Sequence, residues 1–271
     1  MKYVLVLACA VCVVFASCSA RLEGVLSADG SAEVSLNARI EPKMAALLTT
    51  LSSFAAEPTR APTPASGAAG STGAAGPSSA AAAAAPANNL VDGPSISRSL
   101  RNAPGIKSAS LANTDGRSLE GSISIAQVDR FLRASTAGAL SGTPSAGRLL
   151  RYERSSAGGL LVLSLDRASG PDMLLLVSPD VSDYLSALMA PVATGEELSK
   201  QDYLALVSSV YGKGIASEIA DAQVSLDLEL PGTVLSAPGG TFSGRRASFK
   251  VPLTDLLVLE RPLLYEIRWK N

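Results

Sequence analysis

The chain has 271 residues, of which 47% are apolar and 17% charged, with 23 basic against 24 acidic side chains. This length suits one or two domains, and the low aromatic content of 4% predicts a mainly aliphatic core. A formal charge of -1 provides no broad basic surface, so no nucleic-acid partner is expected. Histidine is absent, which excludes Ser-His-Asp and Cys-His catalytic pairs and histidine zinc sites.

The amino terminus has the features of a signal peptide. Lys2 is followed by an apolar run over residues 3–15, which is shorter than the roughly 20 residues of a membrane-spanning helix. The segment Phe15-Ala16-Ser17-Cys18 then resembles the lipobox of bacterial lipoproteins, in which the cysteine is lipidated and becomes the first mature residue. An ordinary secretory signal cleaved near Ala20 is the alternative.

Cysteine usage favours lipidation of Cys18. Cys9 and Cys12 lie inside the apolar run and leave with it, and no cysteine follows Cys18, so no disulfide is expected in the mature chain. Acyl chains such as palmitate on Cys18 would hold the protein firmly on a membrane. We therefore predict a protein of the bacterial cell envelope, anchored by its amino-terminal lipid and either periplasmic or surface-exposed.

The mature chain is predicted to begin with a hairpin and a helix. Residues 21–40 contain the turn Ala28-Asp29-Gly30, and the apolar residues that follow it, up to Ile40, alternate with polar ones as in a half-buried strand. Apolar residues then recur at helical spacing behind Pro42, which predicts a helix over residues 42–55.

A low-complexity segment interrupts the domain. Residues 57–88 are mostly Ala, Pro, Gly, Ser and Thr, a composition that cannot bury a core, so this segment is expected to be a disordered insertion. The chain is thus predicted to divide into a signal peptide (1–17), the first hairpin and helix (18–56), the insertion (57–88) and the remainder of the same domain (89–271).

Beyond the insertion, strands and helices are predicted in turn. Two hairpins are expected, at 106–111 with 118–125 and at 149–153 with 160–165, with a helix over 126–134 between them. Helices are then expected to begin at Ser178 and Ser199, the second being broken at Gly212 and Gly214 before 215–220. A strand over 224–230 and two or three short strands up to Trp269 complete the chain. The pattern predicts an α+β fold, with helices packed on one face of an antiparallel sheet.

Four stretches of this chain combine strand segments with turn residues. They are Val25 to Ala32, with its Asp-Gly turn, Ser225 to Val234, which ends a strand in Pro-Gly, Gly239 to Gly244, and Phe249 to Leu256. In these features the chain resembles the LppM-like family of bacterial lipoproteins. The resemblance implies an envelope domain that binds a lipid or glycolipid, and it brings no set of catalytic residues. This chain differs from the family in its Ala/Pro-rich insertion and in having no carboxy-terminal membrane helix. The amino-terminal lipid is therefore expected to be the sole anchor.

Several polar groups are candidates for a catalytic, cation-binding or phosphate-binding site. The acidic pairs Asp180 with Asp183 and Glu196 with Glu197 could act in acid-base catalysis or hold a cation, but each lies at the start of a predicted helix, where acids favourably oppose the helix dipole. The segment 212–214, Gly-Lys-Gly, follows a helix and is favoured as a helix terminus over a phosphate loop. No metal site and no cofactor are expected.

The candidate ligand-binding residues fall into two groups. Tyr203, Val207, Val210 and Tyr211 belong to an apolar helical stripe that could line a cavity, with the tyrosine hydroxyls orienting a polar head, and a filled core is the alternative. Arg245 and Arg246 could meet a headgroup phosphate, and a solvated turn is the alternative.

Three functions follow from these patterns. The first is a lipid-anchored, non-catalytic binding or structural module, with a lipid as the possible ligand. The second is a surface-exposed lipoprotein that binds a protein partner, which predicts an exposed apolar or aromatic patch. The third is a serine hydrolase that works without histidine, for which the sequence offers no supporting Ser and Lys spacing.

Overall fold

The computed structural model describes residues 19–55, 92–137, 150–168, 188–189 and 195–271, with the backbone alone described for 49–55 and 133–137. The predicted signal peptide, Cys18, the insertion over 57–88 and the helix start at Ser178 lie outside the described residues. The strands are β1 (Ser19–Leu26), β2 (Ala32–Arg39), β3 (Ile106–Asp115), β4 (Ser118–Ile125), β5 (Leu150–Ser155), β6 (Gly158–Leu165), β7 (Gln223–Glu229), β8 (Thr233–Ser236), β9 (Thr241–Ser243), β10 (Arg246–Pro252) and β11 (Leu263–Lys270). The helices are α1 (Pro42–Ala55), α2 (Gly93–Arg101), α3 (Val128–Ala137), α4 (Lys200–Tyr211), α5 (Lys213–Asp221) and α6 (Leu253–Val258).

The described strands form two sheets. The large sheet has seven strands in the order β3-β4-β2-β1-β7-β10-β9, and the small sheet has four in the order β5-β6-β11-β8. The strand pairs are antiparallel except β1 with β7, which run parallel with Leu22 opposite Leu226. The predicted α+β class is confirmed. The division into two sheets and the parallel pair were not predicted.

One apolar core joins both sheets to the helices. It includes Leu36 and Phe249 from the large sheet, Trp269 from the small sheet, Ile219 from α5 and Leu257 from α6. Each of these side chains is almost fully buried. Because the sheets and helices share this core, the described residues pack as one hydrophobic unit.

The first hairpin has the predicted form. Leu36 and Ala38 of β2 are buried while Ser35 and Asn37 are exposed, as the alternation of the sequence indicates. In the turn, the Asp29 carboxylate accepts hydrogen bonds from the Ser31 hydroxyl (2.7 Å) and the Ser31 backbone N–H (2.9 Å). These bonds hold the pKa of Asp29 below its usual value.

The second hairpin turns later than predicted. The sequence placed the end of its first strand at Leu111, but β3 continues to Asp115 and the chain reverses at Gly116 and Arg117. Its polar residues pair within the hairpin, since the Asp115 carboxylate accepts a hydrogen bond from the Arg117 N–H (2.7 Å) and the Asn113 amide donates to the Ser118 carbonyl (3.1 Å). The strand therefore tolerates three residues whose types are typical of a turn.

Helix α2 was not predicted. Asp92 caps it by accepting a hydrogen bond from the Ser95 N–H (3.0 Å), and Pro94 lies in its first turn. The Ser97 hydroxyl donates to the Leu111 carbonyl (3.1 Å) and accepts from the Leu111 N–H (2.6 Å), which ties the helix to β3. The segment Asp92-Gly93-Pro94 is therefore a helix-start signal that the sequence already contains.

The other helices follow the predictions closely, with one exception. Helix α1 has the predicted bounds, and the helix predicted over 126–134 is observed as α3. Ser199 caps α4 as predicted, and Gly212, with a φ of 93°, separates α4 from α5. The exception is α6, which lies where only short strands were predicted and contributes Leu253, Leu256 and Leu257 to the core.

Candidate functional site

The predicted apolar stripe of α4 is only partly buried. Tyr203 and Val207 are buried, at 2% and 3% exposure, and Tyr211 is half-buried. Leu206 and Val210 point to solvent instead, and Val210 is 61% exposed. The predicted stripe is therefore buried along the edge that carries Tyr203, Val207 and Tyr211 and exposed along the edge that carries Leu206 and Val210. A role for Tyr203, Val207, Val210 and Tyr211 in ligand binding stays a prediction.

The Tyr203 hydroxyl is a buried polar group without a hydrogen-bond partner among the described residues. Burial, followed by the nearby Tyr211, raises the pKa of Tyr203 well above its ordinary value. An unsatisfied buried hydroxyl costs a protein on the order of 1–3 kcal/mol. Tyr203 does not line any of the three clefts described below.

Arg245 and Arg246 both contact Glu229. The Arg246 Nη2 lies 3.3 Å from Glu229 Oε2, and the Arg245 Nη2 lies 3.8 Å from Glu229 Oε1. The Arg245 Nε–H also donates to the Leu230 carbonyl at 2.8 Å. Among the polar contacts described for residues 195–271, none joins these arginines to Tyr203 or Tyr211, so the two predicted groups are not linked by such a contact. A phosphate-binding role for the arginines also stays a prediction.

A cleft of about 390 Å³ lies on the outward face of the large sheet. Residues from β1, β2, β7 and β10 line it: Arg21, Glu23, Gly24, Val25, Glu33, Ser35, Asp227, Leu228, Glu229, Arg246, Ala247 and Ser248. Four of these are carboxylates and two are guanidinium groups, so the cleft favours cationic or hydrogen-bonding groups over anions.

The charges in this cleft form a hydrogen-bonded network. Arg21 pairs through Nε with Glu23 Oε1 (2.8 Å) and through Nη2 with Asp227 Oδ2 (3.3 Å). Ser248 donates its hydroxyl to Asp227 Oδ1 at 2.6 Å. Asp227 of β7 therefore contacts residues of both neighbouring strands, β1 and β10. The sequence does not indicate that Arg21 and Asp227 are partners, because that contact depends on the parallel pairing of β1 with β7.

A second cleft, of about 440 Å³, surrounds Arg167. The Arg167 guanidinium donates to the Leu259 carbonyl from Nε (3.0 Å) and to the Leu198 carbonyl from Nη2 (3.4 Å). Leu259 has a left-handed backbone with a φ of 48° at the end of α6. Arg167 therefore connects the segment before α4 to the segment after α6, which is a structural role.

A third cleft, of about 470 Å³, lies at one end of the small sheet and is lined in part by Leu160, Leu235, Arg268 and Trp269. The Trp269 ring stacks on Tyr152 with a centroid distance of 6.3 Å. The Trp269 Nε1–H and the Tyr152 hydroxyl are buried and have no hydrogen-bond partner among the described residues. Burial raises the pKa of Tyr152 above its usual value.

Two further features bear on the class of protein. Within the described ranges, no group of three or more Cys, Asp or Glu side chains is arranged to hold a metal ion. In the same part of the chain, no helix has both the length and the apolar character that a bilayer crossing requires.

Comparison with known proteins yields a weak similarity of fold. No protein-family model matches the chain, and no curated protein matches it either. Among solved structures, the chain is similar to the folded domain of LppM from Mycobacterium tuberculosis, with 14% sequence identity and a TM-score of 0.36. The match covers 93% of this chain and 88% of the LppM domain. At this level of similarity the comparison assigns the chain to no family.

Proposed function

We propose that this chain is a lipid-anchored protein of the bacterial cell envelope, whose folded part is a non-catalytic binding module. The lipobox-like segment that ends at Cys18 supports the anchor. The position of β1 supports it further, because Ser19, the residue directly after Cys18, is already the first residue of that strand.

The position of β1 within the large sheet is the observation that carries the proposal. Ser19 pairs with Arg39 of β2 on one side and with Gln223 of β7 on the other, so β1 is an interior strand. An acylated Cys18 would therefore join the sheet to the membrane without a spacer. Arg39 and the Arg117 turn lie at the same end of the sheet, since the Ile40 N–H donates to the Arg117 carbonyl at 2.9 Å. The Asp115 carboxylate lies beside these two arginines, so the charge at this end of the sheet is mixed.

Acyl labelling tests the anchor. The full chain is produced in a bacterium supplied with labelled palmitate, beside the variants Cys18→Ser and Cys12→Ser. Cys12 serves as the matched control because it lies in the apolar run that cleavage removes. We expect the label and the membrane association to be lost in Cys18→Ser and kept in Cys12→Ser. Label that persists in Cys18→Ser would contradict the proposal.

A lipid or glycolipid is the ligand that we propose for the module. The unpartnered Tyr203 hydroxyl supports a ligand with a polar head and an apolar body, since Tyr203 lies beside the buried Val207 on the same side of α4. Native mass spectrometry with lipid extraction tests this on the full chain purified from bacterial membranes. We expect a stoichiometric bound lipid that is depleted in Tyr203→Phe and retained in Tyr265→Phe. A chain that carries no lipid would contradict this ligand.

Binding of a protein partner is a second candidate function. The described residues include exposed large apolar side chains on the small sheet, Leu235 at 59% exposure and Leu264 at 58%. Exposed apolar groups on a sheet face favour an interaction surface. This function and the lipid ligand are separable, because Tyr203 belongs to α4 and the exposed leucines belong to β8 and β11.

A further inference from the structure

The outward face of the small sheet carries a regular pattern of side chains that the lipid anchor and the lipid ligand do not use. Strand β6 lies between β5 and β11, and the register of the three strands defines rows across the face. Two adjacent rows, read from β5 across β6 to β11, are Arg151–Val162–Glu266 and Glu153–Leu160–Arg268. Each row thus has opposite charges at its ends and an apolar residue at its centre.

These rows face away from the core. Side chains alternate along a strand, and Leu161, Tyr265 and Ile267, which lie between the row residues, pack in or against the core. Leu264 belongs to the outward series and is 58% exposed. The Arg151 and Arg268 side chains are exposed by about the same fraction, 62% and 59%. The Arg151, Glu153 and Arg268 side chains are therefore exposed, whereas Val162, Leu160 and Glu266 are half-buried.

The charges alternate around the apolar centre of this face. Arg151 pairs with Glu153 along β5, with its Nε 2.7 Å from Glu153 Oε1. Arg268 donates to Glu266 along β11 in the same way. The second row also reverses the order of charges found in the first. The four charged side chains at the ends of the two rows therefore alternate in sign around Val162 and Leu160. Such a pattern can be complementary to a second copy of itself.

A second copy of the chain fits this pattern. Two such faces related by a two-fold axis along β6 bring Arg151 opposite Glu266 of the second copy, and Val162 opposite Val162. A two-fold axis across the strands brings Arg151 opposite Glu153 of the second copy and Val162 opposite Leu160. In either arrangement, each of the four charged side chains faces a side chain of opposite sign in the second copy, and apolar side chains face apolar ones. Symmetric interfaces require this complementarity.

We propose that the chain forms a symmetric dimer through this face of the small sheet. Leu235, which shares a cleft with Leu160 and Arg268, extends the apolar centre toward β8. Four strands of about six residues present roughly 400 Å² per copy, or about 800 Å² in total, which is below the range of stable interfaces and in that of weak, transient ones. We therefore expect a weak dimer with a Kd on the order of 10 µM.

Light scattering coupled to size exclusion, with protein mass separated from detergent mass, tests the dimer on the full chain. Val162→Lys places a charge at the apolar centre of the interface, opposite the same substituted side chain or Leu160 of the second copy according to the axis, and should raise the Kd by roughly 100-fold. Val25→Lys is the matched control, because Val25 is exposed on the outward face of the large sheet, and it should leave the Kd unchanged. Thermal unfolding of both variants establishes that they fold.

Two results would overturn the proposal. One is a chain that remains monomeric at concentrations about ten times the expected Kd. The other is a dimer that Val162→Lys and Val25→Lys affect equally, since the outward face of the small sheet would then not be the interface.

Charge exchange provides a second and independent test. Arg151→Glu alone opposes two carboxylates in either arrangement and should weaken the dimer by roughly tenfold. Adding Glu266→Arg restores complementarity if the axis runs along β6. Adding Glu153→Arg instead restores it if the axis runs across the strands. One of the two double variants must recover the dimer, and failure of both contradicts the proposal.

Discussion

Gly159 and Trp269 lie opposite each other in the pairing of β6 with β11, and the indole ring fills the space above the glycine. A Cβ on Gly159 would overlap this ring, which is also held by its stacking on Tyr152. We expect Gly159→Ala to destabilise the protein by about 1–3 kcal/mol, the usual cost of overpacking a core. Chemical denaturation of the purified variant measures this loss.

A double-mutant cycle provides the control for Gly159→Ala. In a Trp269→Leu background the ring is gone, so the added methyl group should cost less than half as much as it does in the original chain. Equal costs in both backgrounds would show that the glycine is required for a reason other than the ring.

The unpartnered Tyr203 hydroxyl leads to a prediction about stability. Tyr203→Phe keeps the ring and removes a polar atom that has no hydrogen-bond partner among the described residues. We expect this variant, freed of lipid, to be more stable by about 1 kcal/mol, whereas Tyr203→Ala should lose about 3–5 kcal/mol through the cavity it leaves. A loss of stability in Tyr203→Phe would mean that the hydroxyl has a partner.

The raised pKa of Tyr203 predicts how the stability of the protein depends on pH. Burial raises the pKa of Tyr203 in the folded protein above the ordinary value of 10.0. Above about pH 10 the unfolded chain releases this proton more readily than the folded chain, so stability falls as the pH rises, by up to about 1.4 kcal/mol for each pH unit. Tyr203→Phe lacks this contribution. Denaturation curves between pH 9 and pH 11, a window set by that pKa of about 10, should therefore diverge for the two proteins, and parallel curves would contradict the raised pKa.

Glu218 of α5 caps a helix that is distant in sequence. Its carboxylate accepts hydrogen bonds from the Met44 N–H (2.9 Å) and the Lys43 N–H (3.3 Å) in the first turn of α1. Glu218→Ala removes both acceptors and a negative charge at the positive end of the helix, so we expect a loss of about 1–2 kcal/mol. Glu218→Gln should retain part of this energy. Asp221→Ala, an exposed position on the same helix, is the control and should change thermal stability little.

Local elements were predictable where their cause is local. The bounds of α1 follow from Pro42 and from apolar spacing, and the Ser199 cap follows from a hydroxyl placed three residues before Asp202. Helix α2 also carried its signal at Asp92 and Pro94, but Ile96 and Leu100 are its only large apolar residues. The position of this helix depends on the hydrogen bonds between Ser97 and Leu111. These bonds join the helix to β3, and local sequence patterns do not predict them.

The candidate sites were less predictable than the elements. Helical spacing placed Tyr203 and Val210 on one stripe, although a few degrees of helix rotation decide which member of such a stripe is buried. The adjacent pair Arg245 and Arg246 was visible in the sequence. Their common partner Glu229 was not, since it reaches them through the pairing of β7 with β10.

The sequence by itself determined the α+β class, the first hairpin and the residue at which α4 begins, because alternation, turn residues and caps act between near neighbours. Only the tertiary structure decided that β1 pairs in parallel with β7, that Glu218 caps α1, and that charges from β5 and β11 alternate across one face. These relations join residues far apart in the chain. They depend on how the sheets and helices share one core, and local propensity carries no information about that arrangement.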